Sequence, residues 1–318
     1  MTRLLACALT MVAVTLAAPQ AQQRPVFKGR GDAVRVFATV TDRDGRLVPA
    51  LSQQDFEVRD DGKSQPLVQF DNSPQPIRLV LMLDVSGSMA GNLPLLRTAA
   101  EQLIRRLRPN DVARVGSFGA DVVISPEFTR DIPALLRAIP EDIPYDAPTP
   151  LWRAMQEAMN TFGDNDDQRR VILVLSDGKD TGSFDMRHRP SSEADVIDRA
   201  RDEDVMIYAV GMRSRPRERP MQRGPIVPGQ MPSMMLEDLP DPGLAKVAEE
   251  TGGGYAEIKG GENMGEAFAE VADELHSQYL LGYVPPRRDG KGHKIDVRLA
   301  AKGMKARSRR SYIAPKSE

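Results

Sequence analysis

Apolar and polar side chains alternate in short runs near both ends of the chain. In residues 33–42 the apolar side chains of Val34, Val36, Ala38 and Val40 occupy every second position. A period of two predicts a strand with one buried face. Similar runs, separated by turn sequences rich in Asp and Gly, predict strands over 33–42, 55–61, 66–71, 277–285, 293–300 and 305–315.

Between these ends, uninterrupted apolar runs alternate with helical patterns. The runs at 77–84, 170–177 and 205–212 are apolar without alternation, which is typical of strands buried on both faces of a parallel sheet. Such an order predicts an α/β fold with a doubly wound, mostly parallel sheet, inserted in or flanked by a small β module. Apolar residues at helical spacing predict helices over 93–107, 150–162, 191–204, 243–250 and 263–276.

The two patterns divide the chain into modules. Residues 22–75 are predicted to form an N-terminal β module, residues 76–277 the α/β domain, and residues 278–318 a C-terminal β module. Neither β module has enough strands to bury a core alone, so we expect the C-terminal module to pair with residues 33–73. The stretch 213–240, rich in Pro, Arg and Met, is predicted to be a solvated loop, with a partner-binding lid as the alternative.

The N-terminus has the features of a signal peptide. Arg3 precedes an apolar run at 4–18, and small residues up to Ala21 offer cleavage points. Because this run is shorter than the about 20 apolar residues of a membrane span, we expect residues 1–21 to be removed and the mature protein to be secreted or periplasmic without a stable membrane span. The single cysteine, Cys7, would leave with that segment, so no disulfide or thiolate metal site is expected.

The composition is that of a globular protein and excludes one class of partner. Hydrophobic residues make up 41% and charged residues 28% of the chain, and the formal net charge is only −2. Proteins that bind nucleic acids usually carry a basic excess or a basic stripe. We therefore expect no nucleic-acid partner.

Oxygen-bearing side chains follow two of the buried runs. Asp84, Ser86 and Ser88 lie in DVSGSM, and Asp177 ends the run at 170–177. If the two strands are neighbours, Asp84 and Asp177 meet at their carboxyl ends. Two close carboxylates repel each other unless a cation neutralises them, and hard oxygen donors suit Mg²⁺, Mn²⁺ or Ca²⁺ rather than Zn²⁺. Taken alone, DVSGSM also fits an ordinary strand-to-helix turn with polar caps.

This set of side chains resembles the metal-ion-dependent adhesion site of von Willebrand factor A domains. The family pattern is D-x-S-x-S, then a Thr before a helix, then an Asp after a later strand. Asp84, Ser86, Ser88, Thr149 and Asp177 occupy these positions. The resemblance implies that the five residues hold a divalent cation, with Mg²⁺ favoured over Mn²⁺ and Ca²⁺. It also implies that a partner protein supplies an Asp or Glu carboxylate to the metal.

The first resemblance covers roughly residues 77–276, and a second one involves the ends of the chain. Residues 37–70, 279–299 and 309–315 resemble a group of secreted bacterial von Willebrand factor A-related proteins, known mainly from acidobacterial genomes. This second similarity spans most of the mature chain. It bears on the architecture more than on the activity.

The resemblance implies an exported, adhesion-type module that binds a partner protein through this metal. One alternative is an envelope scaffold in which the metal only stabilises loops, and a less favoured one is a metal-dependent hydrolase. The sequence contains neither an H-E-x-x-H helix nor a G-x-S-x-G elbow, so we expect no enzyme activity. His188, His276 and His293 are scattered along the chain and are predicted to be surface or packing residues.

Overall fold

The structure, a computed structural model, describes six stretches of the chain. Residues 1–21, His188 and residues 213–239 of the predicted loop lie outside them. The predictions of a cleaved signal peptide and of a role for that loop therefore concern residues that are not described. The described stretches are 33–143, 147–163, 168–182, 190–212, 240–258 and 264–316.

Strands and helices are numbered in chain order. The strands are β1 (Val34–Thr41), β2 (Phe56–Asp60), β3 (Lys63–Gln65), β4 (Leu67–Asp71), β5 (Ile77–Asp84), β6 (Val112–Phe118), β7 (Val122–Ile124), β8 (Arg169–Ser176), β9 (Val205–Met212), β10 (Tyr255–Ile258), β11 (Tyr279–Tyr283), β12 (Gly292–Leu299), β13 (Lys305–Arg307) and β14 (Ser311–Ile313). The α-helices are α1 (Leu93–Arg106), α2 (Ile132–Arg137), α3 (Leu151–Met159), α4 (Glu193–Asp202), α5 (Gly243–Thr251) and α6 (Met264–Leu275). Short 3₁₀ helices span Gln53–Asp55 and Gly87–Gly91.

A six-stranded sheet forms the centre of the α/β domain. Its order is β10-β9-β8-β5-β6-β7, and every neighbouring pair is parallel except β6 with β7. Alternate residues of β5 supply two separate cores. Leu81 and Leu83 pack with α1, α2 and α6, whereas Val80 and Met82 pack with α3, α4 and α5. The predicted α/β class with a doubly wound, mostly parallel sheet is confirmed.

The strand order reverses between β5 and β8. The chain continues from β5 to β6 and β7 on one side, then returns to place β8, β9 and β10 on the other side. In open α/β sheets, the crevice at the carboxyl ends of two such strands is where ligands bind. The ends of β5 and β8 therefore lie where a ligand-binding site is expected in this fold.

Strands from both ends of the described chain share two antiparallel sheets. Their orders are β13-β1-β11-β4 and β14-β12-β2-β3, so each sheet mixes the segments 34–71 and 279–313. Val36 pairs with Leu281 in the first sheet, and Val58 pairs with Val297 in the second. The apolar faces of both sheets belong to one buried cluster. We call residues 33–71 and 279–316 together the β module.

The prediction of one strand over 305–315 was wrong. These residues form β13 and β14, which belong to different sheets. Between them the chain passes the end of α5, where Arg310 N–H donates to the Glu250 carbonyl at 3.2 Å. Gly252 ends α5 with φ 82°, and a Cβ at this position would lie 2.3 Å from the Arg309 nitrogen. Close contact with α5 thus directs the chain from one sheet to the other.

A largely buried polar network joins the β module to the α/β domain. Glu274 of α6 accepts hydrogen bonds from Thr39 Oγ1 at 2.9 Å and from the Tyr208 hydroxyl at 2.5 Å, and it pairs with Arg307. Gln278 Nε2 donates to the same Thr39 and Tyr208 oxygens at 2.7 and 3.0 Å. These contacts connect β1 and β13 of the module with β9 and α6 of the domain.

Candidate metal centre

Asp84, the last residue of β5, is one of the predicted site residues. It has no exposed surface. The Ser86 N–H donates to its Oδ1 at 2.8 Å, and the Ser176 hydroxyl donates to its Oδ2 at 2.5 Å. Ser176 ends β8 beside Asp84 because the two strands pair in parallel register. Both strands therefore contribute to fixing one carboxylate.

The two serines connect Asp84 with Asp177. After Ser86 the chain turns into the short 3₁₀ helix, and the Gly87 N–H donates to the Ala147 carbonyl at 3.1 Å. The hydroxyls of Ser86 and Ser88 lie 3.0 Å apart, and the Ser88 hydroxyl donates to Asp177 Oδ1 at 2.7 Å. Asp177 follows β8 directly and is also fully buried. Four of the predicted site residues thus form one continuous cluster.

Thr149, the fifth predicted residue, precedes α3 and faces the same cluster. A Cβ placed on Gly178 would lie 3.2 Å from Thr149 Oγ1 and 3.8 Å from Ser88 Oγ, so both hydroxyls approach the same glycine. The Thr149 N–H donates to the Thr181 hydroxyl at 2.8 Å, and the Thr181 N–H donates to the Thr149 carbonyl at 3.0 Å. This double contact holds the segment before α3 against the loop after β8.

The electrostatics of the cluster favour a bound cation. Burial, together with the negative charge of Asp177, raises the pKa of Asp84 to about 7, although hydrogen bonds from Ser176 and Ser86 oppose the shift. A cation between the carboxylates would offset both effects. The available donors are two carboxylates and three hydroxyls, which are the hard oxygen ligands preferred by Mg²⁺, Mn²⁺ and Ca²⁺. The residues present therefore fit a divalent ion of this class.

Access to the cluster from solvent is on the side of Ser88. Ser88 and Gly178 are half-buried and Lys179 is exposed, whereas Asp84, Ser86 and Asp177 are buried. A group that approached from solvent would therefore meet the Ser88 and Gly178 side first. Among the described residues of the cluster, Ser88 and Gly178 are therefore the most accessible ones.

Asp180, which follows Asp177 by three residues, supports the segment before α3, a role that the sequence did not reveal. Its Oδ1 accepts from the Trp152 N–H at 3.3 Å and its Oδ2 from the Gly182 N–H at 3.2 Å, while its own N–H donates to Asp241 Oδ2 at 3.1 Å. Burial raises the pKa of Asp180, against the opposing effect of these backbone N–H groups. Asp180 thus fixes the start of α3 near Thr149, a long-range contact that no local motif signals.

Comparison with known proteins identifies the fold around this cluster. Residues 79–179 match the von Willebrand factor type A domain. The matched segment contains all five predicted site residues. A search of curated protein sequences gave no match to the chain. The resemblance of the whole chain to secreted bacterial proteins of acidobacterial type stays a prediction.

Solved structures are similar to this chain at low sequence identity. A von Willebrand factor type A protein from Catenulispora acidiphila is 12% identical with a TM-score of 0.50, over 92% of this chain and 76% of that one. The conserved hypothetical protein BatB from Bacteroides thetaiotaomicron is 17% identical with a TM-score of 0.47, over 63% of this chain and 97% of that one. At 12% identity, the likeness to the first of these shows a common fold and nothing further.

Both described histidines are buried and make polar contacts. His276 Nδ1 lies 2.9 Å from the Ala272 carbonyl oxygen and its Nε2 lies 2.8 Å from Asp111 Oδ2, so it is a packing residue as predicted. His293 lies beside Asp60 and Asp61, and the ligand atoms of these three residues are within 4.8 Å of one another. We had not predicted this group, because 233 residues separate His293 from Asp60.

Membrane spans were sought among the helices of the described stretches. None of those helices combines the length and the apolar character that crossing a membrane requires.

Proposed function

We propose that this protein is an exported, adhesion-type module that binds a partner protein through a divalent cation. The ion, Mg²⁺ in preference to Mn²⁺ or Ca²⁺, would be held by the five residues of the candidate centre, Asp84, Ser86, Ser88, Thr149 and Asp177. The observation that carries the proposal is the meeting of two fully buried carboxylates and three hydroxyls at the carboxyl ends of β5 and β8. Such a cluster is unfavourable without a positive charge and stable with one.

The charge balance suggests how the partner would be recognised. Asp84 and Asp177 together neutralise a divalent ion, while the hydroxyls add ligands without adding charge. A carboxylate from the partner, an Asp or a Glu, would then bind by direct contact with the metal on the open side near Ser88. Residues around that opening would supply the specificity of the interface.

Binding rather than catalysis is the role that we propose for this centre. Asp180 is the next carboxylate along the chain after Asp177, and its oxygens accept backbone N–H groups at the start of α3. It is therefore committed to holding a loop and is poorly placed to act as a general base. The proposal that the protein is not an enzyme rests on this arrangement and on the absence of nucleophile and metalloprotease motifs in the sequence.

Export is proposed from the N-terminal 21 residues, which combine Arg3, an apolar run and small residues near Ala21. N-terminal sequencing of the protein recovered from the host would locate the cleavage. A mature chain that begins near Gln22 is the expected result, and a retained Met1 would contradict it.

The function is tested by metal-dependent capture of a partner from the envelope and secreted fractions of the host. Asp84→Ala removes a buried carboxylate of the centre. The matched control is Asp202→Asn, because Asp202 is exposed at the end of α4, just before β9 begins and so at the opposite end of the strands. We expect wild type and Asp202→Asn to retain a partner in Mg²⁺ and lose it in chelator, and Asp84→Ala to retain none. A partner that remains bound in chelator would instead indicate a scaffold in which the metal only stabilises loops.

A further inference from the structure

A second group of side chains that could bind a metal lies in the β module, outside the candidate centre. Asp60 ends β2, Asp61 begins the turn to β3, and His293 is the second residue of β12. Because β2 pairs with β12, with Asp60 opposite Ile295, the three side chains meet at one end of the second sheet. Asp60 and His293 are each 1% exposed.

The carboxylate of Asp60 is fixed through one of its oxygens. Oδ2 accepts hydrogen bonds from the hydroxyls of Tyr312 at 2.6 Å and Tyr283 at 3.0 Å. Oδ1 faces His293 Nδ1 at 3.0 Å. The two tyrosines thus orient Asp60 so that its second oxygen points at the imidazole ring.

The ring of His293 is fixed from its other side. Nε2 lies 3.1 Å from Asp289 Oδ1, and Nδ1 lies 3.0 Å from Asp60 Oδ1 and 3.5 Å from Asp61 Oδ2. A histidine that binds a metal commonly donates its second ring N–H to a carboxylate, which sets the tautomer and the ring orientation. Asp289 is placed to take that role, which would leave Nδ1 to the ion.

The charges around the group leave room for a divalent cation. Asp60, Asp61 and Asp289 contribute three negative charges, and Arg287, which is paired with Asp61, contributes one positive charge. With a neutral imidazole the sum is −2. Arg287 Nη2 lies 3.5 Å from His293 Nδ1, but the Arg287 side chain is 57% exposed and can leave without disturbing the core.

We propose that Asp60, Asp61 and His293 bind a divalent transition-metal ion of the Zn²⁺ class, which displaces the guanidinium of Arg287 from the group. One imidazole nitrogen and two carboxylates suit Zn²⁺ better than Mg²⁺, so this site differs in chemistry from the all-oxygen centre of the α/β domain. Asp61, with 36% of its side chain exposed, provides the entry side. The ion connects the turn after β2 with β12 and so ties together two distant segments of the chain.

The test is a Zn²⁺ titration of the mature chain that carries Asp84→Ala, which removes the first centre from the measurement. Calorimetry should give one Zn²⁺ per chain. In ¹⁵N-histidine NMR spectra, the Nδ1 resonance of His293 should move on Zn²⁺ addition, while its Nε2 stays protonated. The matched control is Asp296→Asn, since Asp296 lies on the same strand and is 52% exposed. It should change nothing.

Four further variants define the site. His293→Gln should abolish Zn²⁺ binding, and Asp289→Asn should weaken it about 10- to 100-fold, as loss of an orienting carboxylate does elsewhere. Arg287→Gln should strengthen binding at least severalfold, because the competing cation is gone. Asp61→Asn, at a partly exposed position, should weaken binding at least tenfold and provides the decisive variant if His293→Gln does not fold.

Several results would overturn the proposal. Failure of the Asp84→Ala protein to bind Zn²⁺ would do so, and so would Zn²⁺ binding that is unchanged in Asp61→Asn or His293→Gln. The third result is an NMR spectrum in which both ring nitrogens of His293 carry protons and do not respond to Zn²⁺. That spectrum would identify a metal-free imidazolium held between Asp60 and Asp289. All three are independent of whether the first centre binds Mg²⁺.

Discussion

At the scale of single residues, the candidate centre depends on groups outside the predicted ligand set. Ser176 is one of them: its hydroxyl donates to Asp84 Oδ2 at 2.5 Å, which orients that buried carboxylate and opposes the rise in its pKa. Asp180 is another, because it holds the start of α3. Both position residues that would hold the proposed ion.

The first prediction concerns Ser176. Ser176→Ala should leave the fold intact and weaken Mg²⁺ binding about tenfold, the lower end of the effect seen when hydrogen-bond partners of metal ligands are lost. Isothermal titration calorimetry measures the change directly. Ser277→Ala, which removes an exposed hydroxyl bound to the Asp273 carbonyl, is the control and should bind as wild type does. Equal affinities in all three proteins would show that Ser176 has no positioning role.

The sequence indicated the candidate ligands more readily than the groups that support them. Asp84, Ser86 and Ser88 are close in sequence, so their spacing is a local signal. Ser176 and Asp180 flank Asp177, but their partners lie on β5 and at the start of α3. Hydrogen bonds between segments of this kind depend on strand order and loop packing, which a single sequence does not encode in any short pattern.

At the scale of secondary-structure elements, the strands that the sequence predicted most accurately are those buried on both faces of the sheet. β5, β8 and β9 lie inside the sheet, and their uninterrupted apolar runs predicted them to within one residue. We did not predict β6, where Arg114 and Gly116 interrupt the apolar pattern, or the short strand β7. The six-residue helix α2 is too short to show a helical period.

Glycines at the ends of elements allow a matched comparison. Gly45 and Gly252 both have φ near 80°, but a Cβ on Gly45 would meet nothing within 4 Å, whereas one on Gly252 would lie 2.3 Å from the Arg309 nitrogen. Gly45→Ala should cost only the left-handed backbone conformation, about 1 kcal/mol. Gly252→Ala adds a clash with the backbone that passes α5, and overpacking of this kind costs about 1–3 kcal/mol.

Urea unfolding of the two variants measures this difference. We expect Gly252→Ala to lower the free energy of unfolding by at least about 1 kcal/mol more than Gly45→Ala does. Equal losses would mean that the segment between β13 and β14 does not press against the end of α5.

At the scale of the whole molecule, the β module and the α/β domain are joined through Glu274. This side chain is only 16% exposed. It accepts hydrogen bonds from Thr39 and Tyr208 and forms an ion pair with Arg307. Burial raises the pKa of Tyr208, and the negative charge of Glu274 adds to the shift, so the tyrosine remains a hydrogen-bond donor. The network lies where sequence-distant strands meet, which is why no sequence pattern predicted it.

Glu274→Gln tests the junction. It leaves Arg307 without its carboxylate partner, and breaking a buried ion pair by removing one member typically costs roughly 3–5 kcal/mol. Because Arg307 is partly exposed, we expect a loss of about 2–3 kcal/mol in urea unfolding. Glu270→Gln, one turn earlier on α6 at an exposed position, should change stability by less than about 0.5 kcal/mol. A small effect of Glu274→Gln would mean that module and domain unfold independently of this network.

One divalent cation is proposed to bind at the ends of β5 and β8. The most direct measurement is calorimetric titration of Mg²⁺ into the chelator-treated mature protein, with acetate present to supply a free carboxylate. We expect one Mg²⁺ per chain in wild type and in Asp202→Asn, and none in Asp84→Ala. Absence of binding in wild type, or equal binding in Asp84→Ala, would contradict it.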